Sequence, residues 1–200
     1  AIPKIGVTGY EADDCLGTIA HQVKDEAEVI ILTGDRDILQ VLDDNITVAL
    51  MKKGYGNYEV QTKERFIEER GYHPRQFAEV KGLTGDTRDH YPGVKGIGPK
   101  TAEKLILQFQ TVDNILASLD ELKPGQRKKI EADRELLILS RKLAEIKLHV
   151  PLSFNLDDAK IRFFHDNLHD SLNIINIKGM TRILDMIKEW DNDSISHELA

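Results

Sequence analysis

Three short acidic stretches hold the residues of this chain best suited to chemistry. "GYEADD" at 9–14 places Glu11, Asp13 and Asp14 within four positions, "TGDRD" at 33–37 holds Asp35 and Asp37, and "TGDTRDHYPG" at 84–93 holds Asp86 and Asp89. Carboxylates this crowded repel one another unless water screens them or cations sit between them. Oxygen-only ligands select hard ions, Mg²⁺ or Mn²⁺, over zinc. Two such ions about 4 Å apart would clamp a scissile phosphate and activate a water for in-line attack. No Cys/His zinc pattern competes with this: His21, His73, His149, His165, His169 and His197 are scattered, and the one cysteine, Cys15, lies in an apolar helical stretch and reads as core.

Each stretch also has a plainer reading. Glu11, Asp13 and Asp14 suit a helix N-terminus, where acidic side chains meet free N–H groups and the positive end of the macrodipole. Asp35 and Asp37 fit an Asx-type turn capping the next helix. Asp86 and Asp89 fit a solvated Gly/Pro-rich loop. Taken together, the three each follow a structured element and precede a helix, which favours a shared cation site.

The elements that must position them are legible in outline. "KIGV" (4–7) is a strand candidate, and apolar spacing predicts a helix from 12 to about 24. "EVIILT" (28–33) reads as a strand buried on both faces. "ILQVL" reads as a short helix, "ITVALM" (46–51) as a strand, and "YEVQ" as an antiparallel return. Ligands of open α/β sheets bind beyond the carboxyl ends of strands, which is where Asp35 and Asp37 fall. Helices then dominate: one capped by Thr62, one opened by Pro74, one in "VDNILASL", and a long pattern, "PGQRKKIEADRELLILSRKLAEIK", with Pro124 near its start. Two weaker helices are expected near 163–172 and 180–190, before a polar tail.

"GVKGIGPKTAEKLI" (93–106) adds a second kind of site. Gly96 and Gly98 allow positive φ and close approach. The N–H groups at the start of the following helix then form an anion site, with Lys95 and Lys100 supplying charge. Such a hairpin grips a nucleic-acid backbone without reading bases. The carbonyls of Val94 and Ile97 are placed to bind a monovalent cation.

The chain has 200 residues, of which 40% are hydrophobic and 30% charged, with a formal net charge of −7. This reads as a soluble globular protein. The acidic balance argues mildly against nucleic acid as a partner, unless the carboxylates gather around metal ions. One cysteine excludes an internal disulfide and points to a reducing compartment. No apolar run is long enough to span a bilayer, so no membrane partner is expected. No signal peptide is visible. With no initiator Met and an opening on "AIPKIGV", the chain reads as a fragment of a larger domain.

In order and spacing, "GYEADD", "TGDRDILQ" and "GLTGDTRDHYPGVKGIGPKTAEKL" resemble the 5′-3′ exonuclease domain of bacterial DNA polymerase I and, more broadly, the flap endonuclease superfamily. The resemblance runs from 2 to about 152, where "LAEIKLHVPL" is similar to the domain's closing segment. It implies an α/β fold: part of a PIN-like parallel sheet, then a helical region with a helix–three-turn–helix (helix-hairpin-helix) unit. The expected divisions are 1–61, 62–152 and 153–200. It implies two-metal hydrolysis of DNA phosphodiesters at 5′ ends, flaps or nicks in replication and repair. Glu11 and Asp13 match ligands of the first metal. Asp35, Asp37 and Asp89 match the second-metal side, and Asp14 and Asp86 the outer acidic positions. Lys95, Gly96, Gly98, Lys100 and Thr101 match the duplex grip, with potassium at Val94 and Ile97. A polymerase domain in the parent protein and a bacterial cytoplasm, or an organelle of bacterial origin, are also implied.

Two departures stand out. The family's N-terminal half, with its early Asp residues and basic arch, has no counterpart here, so this chain alone is expected to be weak or inactive. A non-catalytic duplex-binding fragment is therefore the alternative. In addition, Arg88-Asp89-His90 stands where the family has Ser-Asp-Asn, which puts a cation beside Asp89. A phosphatase-like Mg²⁺ enzyme using "DRD" leaves the hairpin without a purpose.

Overall fold

The computed structural model describes residues 3–54 and 56–160. Residues Lys4–Phe154 form one compact unit. Helix α1 (Ala12–Val23) leads into strand β1 (Val29–Thr33). A 3₁₀ segment, Asp37–Val41, carries the chain to β2 (Ile46–Met51), which runs parallel to β1. Strand β3 (Tyr58–Gln61) returns antiparallel, giving a three-stranded sheet of order β1-β2-β3.

The register pairs Val29 with Ile46, Ile31 with Val48 and Thr33 with Leu50. Ile31, Ile46, Val48 and Leu50 are buried on that face, in the same core as Ile38, Leu39 and Phe66. The opposite face differs from the expectation of a strand buried on both sides. Ile30 is 72% exposed, and Leu32, Met51, Tyr58 and Val60 are each about half exposed, so among the described residues nothing covers them. Parallel pairing normally goes with cover on both faces, so this sheet presents an unusual amount of apolar surface. The expected strand at 4–7 does not form either. Residues 4–6 are exposed, and the segment has no strand partner among the described residues to bond its backbone.

The helical part comprises α2 (Lys63–Arg70), capped by Thr62 Oγ1 accepting the Arg65 N–H at 3.3 Å, a 3₁₀ turn Pro74–Gln76, and α3 (Phe77–Thr84). It continues with α4 (Pro99–Phe109), α5 (Val112–Ala117), a 3₁₀ turn Leu119–Glu121, α6 (Pro124–Ala132) and α7 (Arg134–Ala144). The long helical pattern is thus two helices, broken at Asp133, which leaves helical geometry at φ −110° and ψ 23°. The break aims the Asp133 carboxylate at the Lys95 backbone N–H, 2.8 Å away. Gly82 brings α3 against α7: a Cβ there would lie 2.6 Å from the Arg141 Cβ. Nearby, buried Glu79 accepts the Val112 N–H and pairs with Arg141 at 3.0 Å.

Residues 144–150 run back over α1. Thr18 Oγ1 donates to the Lys147 carbonyl and accepts the Val150 N–H, each at 3.2 Å, and Gln40 bonds the Ala144 carbonyl and the Ile146 N–H. In the other unit, a 3₁₀ turn at Asp157–Ala159 is stapled by Lys160 on Asp157. The helices expected near 163–172 and 180–190 lie outside the described residues.

Candidate metal centre and nucleic-acid interface

Glu11 is the N-cap of α1, and it forms a capping box with Asp14: the Glu11 N–H donates to Asp14 Oδ2 at 3.1 Å. The second Asp14 oxygen accepts the Lys147 N–H at 2.7 Å. Asp14 therefore ties the helix to the closing segment with both oxygens. Asp13, one position earlier, lines the adjoining cavity.

Asp35 lies two residues past the end of β1. Its N–H bonds Thr33 Oγ1, and its Oδ1 accepts the Asp37 N–H, both at 3.0 Å. The Asx turn therefore forms, and Asp35 also lines the cavity beyond the carboxyl end of β1. The third stretch closes as a tight hairpin: Asp86 and Tyr91 exchange backbone hydrogen bonds at 2.9 and 3.1 Å, and Asp86 Oδ1 caps the Arg88 N–H at 2.8 Å. His90 takes a left-handed φ of 60° in this loop, and Asp89 stands exposed at its tip. The Arg88 side chain is 70% exposed and reaches Asp86, at 4.0 Å.

Glu11, Asp13, Asp14, Asp35, Asp37 and Asp89 line one cavity of about 480 Å³. Carboxylate oxygens of Asp37, Asp86 and Asp89 come within 4.8 Å of one another. All seven acidic residues singled out from the sequence therefore lie in or beside a single site. Tyr10, Tyr91, Lys142 and Lys147 complete parts of the wall.

Four side chains set its electrostatics. Burial, then the charges of Asp35, Asp37, Glu11 and Asp14, push Asp13 up to about 6. Burial also raises Asp37, although Lys81 opposes it. Lys81 was not found from the sequence. Its ammonium lies 2.7 Å from Asp37 Oδ1 and hydrogen-bonds Asp86 Oδ2. Burial works against its charge, yet those two carboxylates outweigh burial and hold its pKa high. Partial burial works to raise Asp86, but the Lys81 and Arg88 contacts outweigh it and keep its pKa low.

Two buried oxygens lack a hydrogen-bond partner among the described residues, Asp37 Oδ1 and the Tyr91 hydroxyl. The first meets Lys81 at ion-pair distance but off the hydrogen-bond directions. The second belongs to a residue only 4% exposed. Burial, followed by the Asp37, Asp86 and Asp89 charges, raises the Tyr91 pKa, so the phenol stays protonated. An all-oxygen donor set of crowded carboxylates fits a hard divalent cation.

The hairpin between α3 and α4 lies next in the chain. Gly96 has φ +80°, whereas Gly98 is extended at φ −92° and serves as the N-cap of α4, so only the first needs the left-handed freedom read from the pattern. Gly93 matters more than the sequence conveyed: a Cβ on it would lie 2.2 Å from the Gly85 backbone N. The loop is held from behind. Ser140 Oγ accepts the Gly93 N–H at 3.0 Å, Asp133 takes the Lys95 N–H, and Lys129 Nζ sits 2.9 Å from the Gly96 carbonyl. Gly98, Pro99, Lys100 and Thr101 line a shallow open depression at the start of α4. The Val94 carbonyl accepts the Ile97 N–H at 3.1 Å.

The sequence signal for Lys81 was its place, with Glu79, in the otherwise apolar run "FAEVKGL", where a buried cation needs a carboxylate partner. Lys129 and Asp133 had no local signal, because they meet the hairpin across more than thirty residues.

Comparison with known proteins matches residues 1–71 to the family model "5′-3′ exonuclease, N-terminal resolvase-like domain" and residues 72–167 to "5′-3′ exonuclease, C-terminal SAM fold". The chain is 48% identical to a 5′-3′ exonuclease of Bacillus subtilis over 186 residues, covering 93% of this chain and 63% of that protein. It is 45% identical to DNA polymerase I of Bacillus caldotenax over 159 residues, 78% of this chain and 18% of the polymerase. Among solved structures, the T5 5′-exonuclease with bound divalent metal ions (zinc) superposes with a TM-score of 0.62 at 23% identity, over 71% of this chain and 52% of that one. This last likeness is one of fold, in keeping with the α/β sheet and helical region described above.

Proposed function

We propose, since the chain belongs to the 5′-3′ exonuclease family, that its acidic cavity is the divalent-metal centre of a 5′-directed DNA nuclease and that the adjoining hairpin grips the duplex. The observation that carries this reading is the convergence of carboxylates from three separate stretches on one cavity. Glu11 and Asp13 would hold one ion. Asp35, Asp37 and Asp89 would face the other, with Asp86 completing the set and Asp14 anchoring the helix. Mg²⁺ or Mn²⁺ bound there would neutralise the scissile phosphate and lower the pKa of a water. The protein's own groups do the rest. The rigid strand end and helix cap hold the carboxylates in place, and the protonated Tyr91 hydroxyl is available as a donor beside them. Lys95, Lys100, Thr101 and the N–H groups near Gly96 and Gly98 would hold the DNA backbone without reading bases, with potassium at the Val94 and Ile97 carbonyls. The substrates would be DNA with 5′ ends, flaps or nicks, and the whole protein would act in replication or repair, with or without a polymerase domain.

The chain spans 63% of the length of the B. subtilis relative, and its sheet presents an apolar face that no described residue covers. Those two facts favour a second reading for the chain by itself, duplex binding without cleavage. The test is to incubate it with a 5′-flapped duplex and Mg²⁺ or Mn²⁺, with and without a separately supplied N-terminal half from the B. subtilis relative. The nuclease reading expects metal-dependent cleavage in the paired reaction, lost in Asp35→Ala or Asp89→Ala while duplex binding persists. Undiminished cleavage by Asp35→Ala contradicts the metal assignment. On the binding reading, Lys100→Ala lowers affinity for all sequences alike and reduces the salt slope by about 1.

A further inference from the structure

Lys81 stands where the acidic site most needs positive charge. It projects from α3, a helix fixed against α7, and its side chain is only 13% exposed. The ammonium contacts Asp37 Oδ1 at 2.7 Å and Asp86 Oδ2, two of the three carboxylates that approach one another within 4.8 Å. Both Asp86 oxygens are already engaged, Oδ1 with the Arg88 N–H and Oδ2 with Lys81. Asp37 Oδ1 is buried and meets no hydrogen-bond donor in good geometry. The ammonium sits between Asp37 Oδ1 and Asp86 Oδ2, so a divalent ion bridging those two oxygens would take its place. The lysine stem can allow this. It is a four-carbon chain on a fixed backbone, the open cavity adjoins Asp37, and the Phe77 ring lies 5.9 Å from Nζ as an alternative face for the charge.

We propose that Lys81 is a built-in competitor for the divalent ion at Asp37, Asp86 and Asp89: its ammonium closes the position when metal is absent and moves aside when metal binds. The inference rests on the reading above that these carboxylates hold a divalent cation. Its consequence is that Lys81 raises the metal concentration at which the position fills. The carboxylates stay together without metal because one of their own neighbours neutralises them. A merely structural ion pair, by contrast, would persist with metal bound, and its removal would loosen the carboxylates and weaken the metal.

Mn²⁺ titration of the full chain by calorimetry separates these cases. Loss of one heat in Asp89→Asn assigns that heat to this position. Lys81→Met keeps the stem and removes the charge, and it should bind Mn²⁺ there about tenfold more tightly or better. Lys81→Arg keeps a cation and should stay near the wild-type affinity. Equal or weaker Mn²⁺ binding by Lys81→Met overturns the proposal while leaving the metal reading intact. Absence of Mn²⁺ binding in the wild type as well overturns both. If Lys81→Met fails to fold, the wild type decides. The Lys81 ¹⁵N-ammonium resonance should shift and exchange faster with water on Mg²⁺ addition, and an unmoved resonance at saturating Mg²⁺ contradicts displacement.

Discussion

The Asp133 carboxylate accepts the backbone N–H of Lys95 at 2.8 Å, joining the break between two helices to the tip of the hairpin. With Lys129 on the Gly96 carbonyl and Ser140 on the Gly93 N–H, it makes α6 and α7 a splint for the loop. Asp133→Ala should cost about 1 kcal/mol in urea denaturation, as expected for one hydrogen bond to a charged acceptor at the surface. Duplex affinity should fall alongside it. Unchanged binding would show that the hairpin holds its shape without this contact.

Asp14 and Asp37 should behave differently although both are acidic residues of the same site. Asp14→Ala removes two backbone hydrogen bonds, to Glu11 and Lys147, and should lower stability by about 2 kcal/mol. Its Mn²⁺ affinity should change little. Asp37→Ala should do the reverse, with Mn²⁺ binding lost at the position it shares with Asp86 and Asp89. Calorimetry beside urea melts tests the pair.

Much of this site could be read from the chain before its fold. The acidic stretches are local patterns, and each sits at an element boundary where its backbone is set by neighbours one to three residues away. The hairpin could be read for the same reason. Hidden were the features made by distant contacts. Lys81 reaches Asp37 across the sheet rim, Tyr91 turns its hydroxyl inward, and Asp133 breaks a helix to serve a loop thirty-eight residues earlier. The apolar run of β1 gave its strand but not its exposure. Periodicity reports how apolar each face is and says nothing about whether another element is present to cover it. Residues 4–7 show the converse, a strand-like pattern with no strand partner among the described residues.

Metal-free stability should depend on pH through Asp13. Its folded pKa of about 6 lies above the ordinary carboxylate value of 3.8, so the folded chain binds more protons between those limits. The stability linked to this group is fully present below the unfolded pKa and is lost as pH rises through about 6. His21, whose pKa is lowered chiefly by burial, opposes this in part of the same window. The comparison is therefore between wild type and Asp13→Asn. The variant should gain relative stability as pH goes from 4 to 7, and saturating Mg²⁺ should shrink the difference. A difference that is flat with pH would mean that Asp13 is not strained.

Gly93→Ala should destabilise the chain by roughly 3 kcal/mol or more, because φ is +63° and the added methyl would meet the Gly85 backbone at 2.2 Å. Gly98→Ala should be tolerated within about 0.5 kcal/mol, since φ is −92° and nothing lies within 4 Å. Equal costs at the two sites would contradict the close approach of the acidic loop and the hairpin.

The central claim is that the clustered carboxylates form a divalent-metal centre, and anomalous X-ray scattering from crystals of the chain soaked in millimolar Mn²⁺ tests it most directly. The account predicts a peak in contact with Asp37 and Asp89, a second beside Glu11 and Asp13, and the Lys81 ammonium withdrawn from Asp86. A cavity without peaks, with Lys81 still seated between Asp37 and Asp86, would contradict it.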